Sequence, residues 1–306
     1  MTFVLGIDGG GSKTTAALSD GASVLSTHTA GGCNLNAVPA ADAESALAEA
    51  VHGALSSAGV FAADVKSVCA GVAGAASPEA AEKIGEIITA QLPKATVQVV
   101  GDTAIALAAE FGGGPGVICI SGTGSIAFGR NERSDIARAG GWGRFVSDEG
   151  SGHWIGQRAV SECLQALDMG RSSRLITGVM HHWHIATREQ LVQSCNCDQV
   201  PNFADLFPVV QVANQEGDPL ACEILTAAGI SLARVTQIVL RRLWVGRHSV
   251  EIAVTGGVFT NSTRVCQVFS NVIRSDRPEV TIRVSQREPY MGAIYLAQHR
   301  ADSVSR

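Results

Sequence analysis

An aspartate, three glycines, a serine, a lysine and two threonines stand in a row at Asp8-Gly9-Gly10-Gly11-Ser12-Lys13-Thr14-Thr15, directly after the apolar run Phe3-Val4-Leu5-Gly6-Ile7. Those residue types suit anions. Glycine lets a backbone take positive φ and approach a ligand closely, and successive N–H groups in such a turn form an anion-binding nest. Ser12 and Thr14 add hydroxyls and Lys13 a positive charge. Asp8 supplies a carboxylate suited to magnesium, directly or through water. A P-loop would need Gly-Lys-Ser/Thr, but here Ser12 precedes Lys13. A dinucleotide fingerprint would need a helix next, whereas Thr14 to Ser19 reads as a strand that stops at the turn signal Asp20-Gly21. Strand, glycine turn, strand is the pattern. An ordinary glycine-rich hairpin fits this stretch equally well.

Further candidates lie along the chain. Asp102 follows a strand-like run and precedes a helical one, so it could act as general base toward a hydroxyl. It could also cap the helix starting at Thr103, the simpler local reading, and one position can do both. Ser121-Gly122-Thr123-Gly124-Ser125 could hold phosphate through N–H and hydroxyl groups, or be a tight hairpin. Trp142 sits among glycines in Gly140-Gly141-Trp142-Gly143, where an aromatic face could meet a sugar ring or plug the core. Asp148 could accept hydrogen bonds from sugar hydroxyls or cap the next helix. Asn34 lies in a Gly/Asn loop that suits hydroxyl binding or a turn. Gly256-Gly257 could admit an adenine ring. His181-His182-Trp183-His184 lacks acidic or thiol neighbours in sequence and reads as a solvated helical stretch.

Strands are expected at 2–8, 14–19, 23–29, 65–72 and 96–100, and helices at 40–58, 78–91 and 103–111, an order of βββαβαβα. Gly112-Gly113-Gly114-Pro115-Gly116 is the strongest break, so the domain seam is placed there, giving lobes 1–114 and 115–306. Val117 to Gly129 then repeats the opening pattern of apolar strand, Gly/Ser/Thr turn and apolar strand. Two lobes, each with such a hairpin, could grip a polyphosphate from both sides. Helices follow at 154–167, 203–215, 219–245, 261–275 and 289–300, with strands at 249–255 and 279–284. The stretch 171–200 is mixed and taken as helical.

Composition narrows the class. Of 306 residues, 46% are hydrophobic and 17% charged, enough for a core and unlike a disordered chain. The net charge of -5 with no long basic run argues against nucleic-acid or membrane-surface partners. No secretory signal pattern opens the chain and no segment reads as a bilayer span, so a cytoplasmic location is expected. Eight cysteines stand mostly alone in apolar surroundings, as reduced thiols would, and Cys195-Asn196-Cys197 lacks a partner pair at zinc spacing.

Taken together, Gly6-Ile7-Asp8-Gly9-Gly10-Gly11-Ser12-Lys13-Thr14, Gly71-Val72-Ala73-Gly74-Ala75, Gly101-Asp102, Ser121-Gly122-Thr123-Gly124-Ser125, Gly140-Gly141-Trp142-Gly143, Asp148-Glu149-Gly150-Ser151-Gly152, Gly217-Asp218-Pro219 and Thr255-Gly256-Gly257-Val258 occur in family order. The chain thereby resembles the actin-like ATPase superfamily, and within it the BadF/BadG/BcrA/BcrD-type group that includes the N-acetylglucosamine kinases. The resemblance implies an α/β, two-lobed actin-like ATPase (ribonuclease H-like) fold with a duplicated βββαβαβα core and extra helices in the second lobe. It implies ATP and magnesium between the lobes, which close over an amino sugar, most simply N-acetylglucosamine. Asp102 would take the proton of the C6 hydroxyl, and Asp8 would hold magnesium through water. Gly10, Gly11, Ser12, Lys13, Thr14 and Thr123 would line the phosphates, and Gly256 and Gly257 the adenosine. Asn34, Ala73, Gly74, Gly124, Ser125, Trp142, Gly143, Asp148 and Gly152 would line the sugar. Val146-Ser147 departs from the glycine that many relatives carry before the Asp, which bears on the conformation of that loop. A glucosamine or N-acetylmuramic acid kinase is the near alternative. A reductase-activating ATPase would need clustered cysteines for an iron–sulfur centre, and a sugar-responsive regulator would need DNA-binding helices. A homodimer is expected from relatives.

Overall fold

A computed structural model describes residues 2–304 apart from 76, 198, 199 and 247. The chain divides into two compact units, 1–114 with 286–306, and 115–285.

The first unit runs β1 (Phe3–Gly9), β2 (Thr14–Ser19), β3 (Val24–Ala30), α1 (Ala40–Ala58), β4 (Val65–Val72), α2 (Pro78–Gln91), β5 (Thr96–Gly101) and α3 (Asp102–Phe111). Its sheet has the order β3-β2-β1-β4-β5, antiparallel through β1–β2–β3 and parallel through β1–β4–β5. Successive strand residues point to opposite faces, and the apolar runs bury both. Leu5, Ile7, Leu18, Val68 and Ala70 pack toward α1 and α2 with Leu47, Val51, Ile84 and Ile88. Val4, Ala17 and Cys69 pack on the other face with Ile105 of α3.

The second unit runs β6 (Gly116–Ser121), β7 (Ser125–Arg130), β8 (Ile136–Gly140), α4 (Gly152–Asp168), α5 (Arg174–His182), α6 (Arg188–Cys195), a single 3-10 turn (Phe203–Leu206), α7 (Phe207–Gln215), α8 (Pro219–Leu243), β9 (Glu251–Thr255), α9 (Gly257–Asn261), α10 (Thr263–Asp276) and β10 (Thr281–Val284). The final helix, α11 (Pro289–Val304), belongs to the first unit. The second sheet, β8-β7-β6-β9-β10, repeats the order and directions of the first.

Four expectations change. The second lobe does not keep its closing helix. A Cβ on Gly6 would lie 2.7 Å from Ile294 N and one on Gly292 1.9 Å from the Ile105 carbonyl, so these glycines let α11 lie directly on β1 and α3. The helix expected at 203–215 splits into a 3-10 turn and α7, with Pro208 in α7's first turn. The one expected at 261–275 starts at Thr263 because Ser262 caps it, accepting the Val265 N–H. Lastly, α8 is long and apolar enough to cross a bilayer by length and composition. Its Ile224, Leu225, Leu232, Val239 and Leu240 are instead buried in the second unit's core. Within the mixed stretch 171–200, α5 and α6 are helical as expected, and residues 198 and 199 lie outside the described residues. Gly217-Asp218-Pro219 proves to be the start of α8. The Asp218 carboxylate accepts the Ala221 N–H at 3.1 Å and the Ser173 hydroxyl at 2.7 Å, which ties α5 to α8.

Candidate active site

In the first unit the hairpin forms as the sequence suggested, with Gly9 paired to Thr14 and Gly10 N–H donating to the Lys13 carbonyl at 2.8 Å. The reason for its glycines differs. None of Gly9, Gly10 and Gly11 takes a left-handed φ. What they provide is clearance. A Cβ on Gly9 would sit 2.4 Å from Cys33 Sγ, and Gly32 crosses so near the Gly11 carbonyl that a Cβ there would lie 2.1 Å from it. The loop beneath is held by Cys33 and Asn34 N–H groups donating to the Gly10 carbonyl at 2.9 and 3.2 Å. Ser12 and Lys13 are exposed at the tip, while Thr14 is buried, its hydroxyl beside the Cys33 thiol without a well-formed hydrogen bond.

Asn34, Ala73 and Gly74 converge beside that hairpin. Ala73 N–H donates to the Gly9 carbonyl at 2.8 Å. Gly74 has φ +85°, and a Cβ on it would stand 2.6 Å from Asn34 Oδ1 and Asn36 Nδ2. Asn34 Oδ1 accepts the Asn36 N–H at 2.9 Å. Asn36 is a member of the cluster that the sequence did not single out.

Asp8 ends β1 and Asp102 opens α3 after β5. Asp102 is the first helical residue, with Gly101 in the cap position, and its Oδ1 accepts the Thr103 N–H at 2.9 Å. Burial above all, then the negative charges of Asp102 and Glu288, raise the Asp8 carboxyl from 3.8 to about 6, with Lys13 pulling the other way. Glu288 stands near the end of the chain, and nothing local in the sequence pointed to it. Among the described residues no group of three or more His, Cys, Asp or Glu could hold a metal unaided. Magnesium normally keeps several waters and binds through one or two carboxylates plus phosphate oxygens. Asp8, short of counter-charge and flanked by Asp102, fits that mode.

In the second unit the β6–β7 hairpin closes with Gly122 N–H donating to the Gly124 carbonyl at 2.9 Å and Thr123 exposed at its tip. The flanking serines are engaged. Ser121 Oγ donates to the Gly150 carbonyl and Ser125 Oγ to that of Glu149, each at 2.9 Å. Gly152 N–H donates to the Gly122 carbonyl at 2.8 Å. These bonds fasten the Asp148-to-Gly152 loop to the hairpin. Asp148 is 7% exposed and takes φ +68°, unusual for a residue with a side chain. Its carboxylate accepts N–H bonds from Gly143 and Ser125, yet burial still holds its pKa above the ordinary range, with Glu149 adding to the rise. Asp148 Oδ1 is buried with no hydrogen-bond partner among the described residues. Serine at 147 is accommodated because its hydroxyl bonds the Glu149 carboxylate at 3.1 Å.

Trp142 is 63% exposed, so it does not plug the core, and the Arg138 guanidinium lies over its ring at 4.3 Å. Gly140, Gly141 and Gly143 all take left-handed φ. A Cβ on Gly256 (φ +97°) would meet the Ser121 carbonyl at 2.3 Å, so this glycine brings the β9–α9 turn against the hairpin, while one on Gly257 would only touch Asn261 Nδ2 at 3.9 Å. His181 and His182 end α5, and His184 follows with φ +56°.

Comparison with known proteins agrees with these motifs. Residues 5–297 match the model of the BadF/BadG/BcrA/BcrD ATPase family. An N-acetylmuramic acid/N-acetylglucosamine kinase from Clostridium acetobutylicum is 31% identical over 99% of this chain and 100% of its own. An N-acetyl-D-glucosamine kinase from Dictyostelium discoideum is 27% identical over 96% of this chain and 97% of its own. Among solved structures, a candidate N-acetylglucosamine kinase from Chromobacterium violaceum superposes with a TM-score of 0.78 at 25% identity, covering 97% of this chain and 99% of that one. With a hairpin nest in each unit and a match running from strand β1 into helix α11, the chain belongs to the BadF/BadG/BcrA/BcrD ATPase family.

Proposed function

We propose that this protein is an ATP-dependent kinase of an amino sugar, transferring the γ-phosphoryl group of ATP to the C6 hydroxyl of N-acetylglucosamine. The observation that carries the reading is the pair Asp8 and Asp102, at the ends of β1 and β5 on either side of β4, where the Asp102 charge helps raise the Asp8 carboxyl beside a glycine hairpin and Lys13. A pair of titratable groups in unequal environments marks divided roles. Asp102 is the base: it accepts the C6 hydroxyl proton as the new O–P bond forms and the bond from the γ-phosphorus to ADP breaks. Asp8 holds magnesium through water, and the bound metal offsets phosphate charge.

Positioning and charge neutralisation are most of what phosphoryl transfer asks of a protein. The N–H groups of Gly11 and Ser12, the Lys13 ammonium and the Thr123 tip serve the phosphates, and Gly10, whose N–H is taken by the Lys13 carbonyl, shapes the turn. Thr14 contributes through its backbone, its side chain being buried. Gly257 serves the adenosine side, and Gly256 shapes that turn. Asn34, Ala73 and Gly74 of the first unit take sugar hydroxyls. So do Asp148 and the Trp142-Gly143 and Gly152 segments of the second, where Gly124 and Ser125 hold Asp148 in place. The unpartnered Asp148 oxygen supplies an acceptor for a hydroxyl donor. A homodimer belongs to the same proposal and rests on the family resemblance; a cytoplasmic setting belongs to it too and rests on the cysteines that stand singly in apolar surroundings. A coupled assay of ADP release over a panel of hexoses and amino sugars tests it. N-acetylglucosamine should drive ADP release and yield the 6-phosphate; ADP release independent of every sugar would overturn the reading.

A further inference from the structure

The loop that presents Trp142 has little rigidity of its own. Gly140, Gly141 and Gly143 take left-handed φ of +72°, +68° and +95°, and a run of glycines has many conformations to lose when it settles into one. The far end of the loop is fixed locally. Val146 and Ser147 N–H groups both donate to the Gly143 carbonyl, at 3.0 and 2.9 Å, and the Gly143 N–H goes to Asp148. The near end, which carries the indole, has a different anchor.

That anchor is Arg138 on the edge strand β8. Ala137 and Ala139 on either side of it are buried, so its side chain leaves the opposite face of the strand. Its Nη2 donates to the Gly141 carbonyl at 2.7 Å and, more weakly, to that of Gly140 at 3.4 Å. The same guanidinium lies over the Trp142 ring at 4.3 Å. One planar group thus fixes the backbone just before Trp142 and covers one face of its indole, a combination that suits a guanidinium and not an ammonium. The strand is in turn pinned from α8, where Arg242 donates to the Arg138 carbonyl at 3.1 Å. Arg138 Nε is buried with no hydrogen-bond partner among the described residues. A cation held at that cost is placed for what its terminal nitrogen and its flat face do. With the guanidinium on one face of the ring and Trp142 still 63% exposed, the opposite face is the one open to a ligand.

We infer that Arg138 is a positioning residue for the sugar, holding Trp142 so that the free face of the indole lies against the apolar face of the sugar ring. The inference rests on the amino-sugar kinase reading above and on Trp142 lining its sugar site. Arg138 needs no contact with either substrate. Its effect passes through the ring it stacks on and the Gly141 carbonyl it holds.

The test is a double-mutant cycle in the coupled ADP-release assay with N-acetylglucosamine, on wild type, Arg138→Met, Trp142→Ala and the pair, with Arg138→Lys alongside. Removing the stacked cation and its hydrogen bond should raise the sugar KM about 5- to 50-fold in Arg138→Met, with the ATP KM unchanged. In the Trp142→Ala background the same change should add little, because the group that Arg138 positions is already gone. Arg138→Lys keeps the charge without the fork or the flat face, so its sugar KM should fall in between. It also carries the cycle if Arg138→Met does not fold. An unchanged sugar KM, sugar and ATP KM rising together, or an Arg138 effect as large without Trp142 as with it overturns the inference and leaves the kinase reading standing. ADP release that no sugar drives overturns the kinase reading, and the inference with it.

Discussion

Replacing Asp8 with asparagine should make the protein more stable and inactive. The carboxyl is raised from 3.8 to about 6, first by burial and then by the Asp102 and Glu288 charges, with only Lys13 opposing. At ~1.4 kcal/mol per pH unit, holding Asp8 ionised costs the folded state about 3 kcal/mol above that pH. The direction follows from proton counting. Between roughly pH 4 and 6 the folded state keeps a proton that the unfolded chain has released, so stability declines as pH rises through that window. Asparagine carries no charge and escapes the decline. Urea unfolding of wild type and Asp8→Asn should therefore give similar midpoints near pH 4. At pH 7.5 the variant's midpoint should be higher by about 1 M, for an m-value of 2–3 kcal/mol/M. Asp102→Asn should recover part of the same gain, because Asp102 is the second cause after burial. Magnesium with ATP should raise the wild-type midpoint more than that of Asp8→Asn, as expected when a native-state ligand loses one of its holds. A variant less stable than wild type at pH 7.5, or a difference that ignores pH, would refute the charge-crowding account.

Asp102→Asn should cut sugar phosphorylation by about 10²- to 10⁴-fold while nucleotide affinity, read by titration calorimetry, is kept; a near-normal rate removes Asp102 as the base. Trp142→Ala should raise the sugar KM more than the ATP KM and leave the unfolding midpoint unchanged, since the ring is 63% exposed; an unaltered sugar KM takes Trp142 out of the sugar site. Gly256→Ala combines φ +97° with a Cβ 2.3 Å from the Ser121 carbonyl, so it should cost at least ~2 kcal/mol and displace the β6–β7 hairpin. Wild-type stability in that variant would mean the turn is free to move away.

Elements with strong local punctuation were legible to the residue. β2, α1, β4 and α2 occupy the spans read from the sequence. The Ser77 side chain accepts the Ala80 N–H ahead of Pro78, and Gly59 ends α1 at φ +66°, so start and stop are written beside the elements they bound. β8 went unplaced. It is an edge strand whose buried positions are Ala137 and Ala139, and alanine is a weak strand signal. The home of α11 was equally hidden, because it depends on Gly6 and Gly292, small residues whose partners lie far away in sequence. At the site, the glycine hairpins and both aspartates stood out from the start. Asn36 and Glu288 did not, since each acquires its neighbours only through folding.

The repeated sheet order explains why the glycine loops were the most informative signal and why they do different work. β1–β2 and β6–β7 are the same antiparallel pair in two copies of one topology, so each offers backbone N–H groups at the same corner of its sheet. The surroundings then diverge. In the first unit the hairpin rests on backbone contacts from Gly32, Cys33 and Asn34, and Lys13 stands exposed at its tip as a counter-charge to Asp8. In the second, Ser121 and Ser125 spend their hydroxyls fastening the loop that turns Asp148 into a left-handed, nearly buried carboxylate. Substituting Ser125 by alanine should therefore act on the sugar rather than on the phosphates. It frees the Glu149 carbonyl, at about 1 kcal/mol for the lost hydrogen bond, and loosens the Asp148 loop. The sugar KM should rise with the ATP KM unchanged, and the reverse pattern would place Ser125 among the phosphate ligands instead.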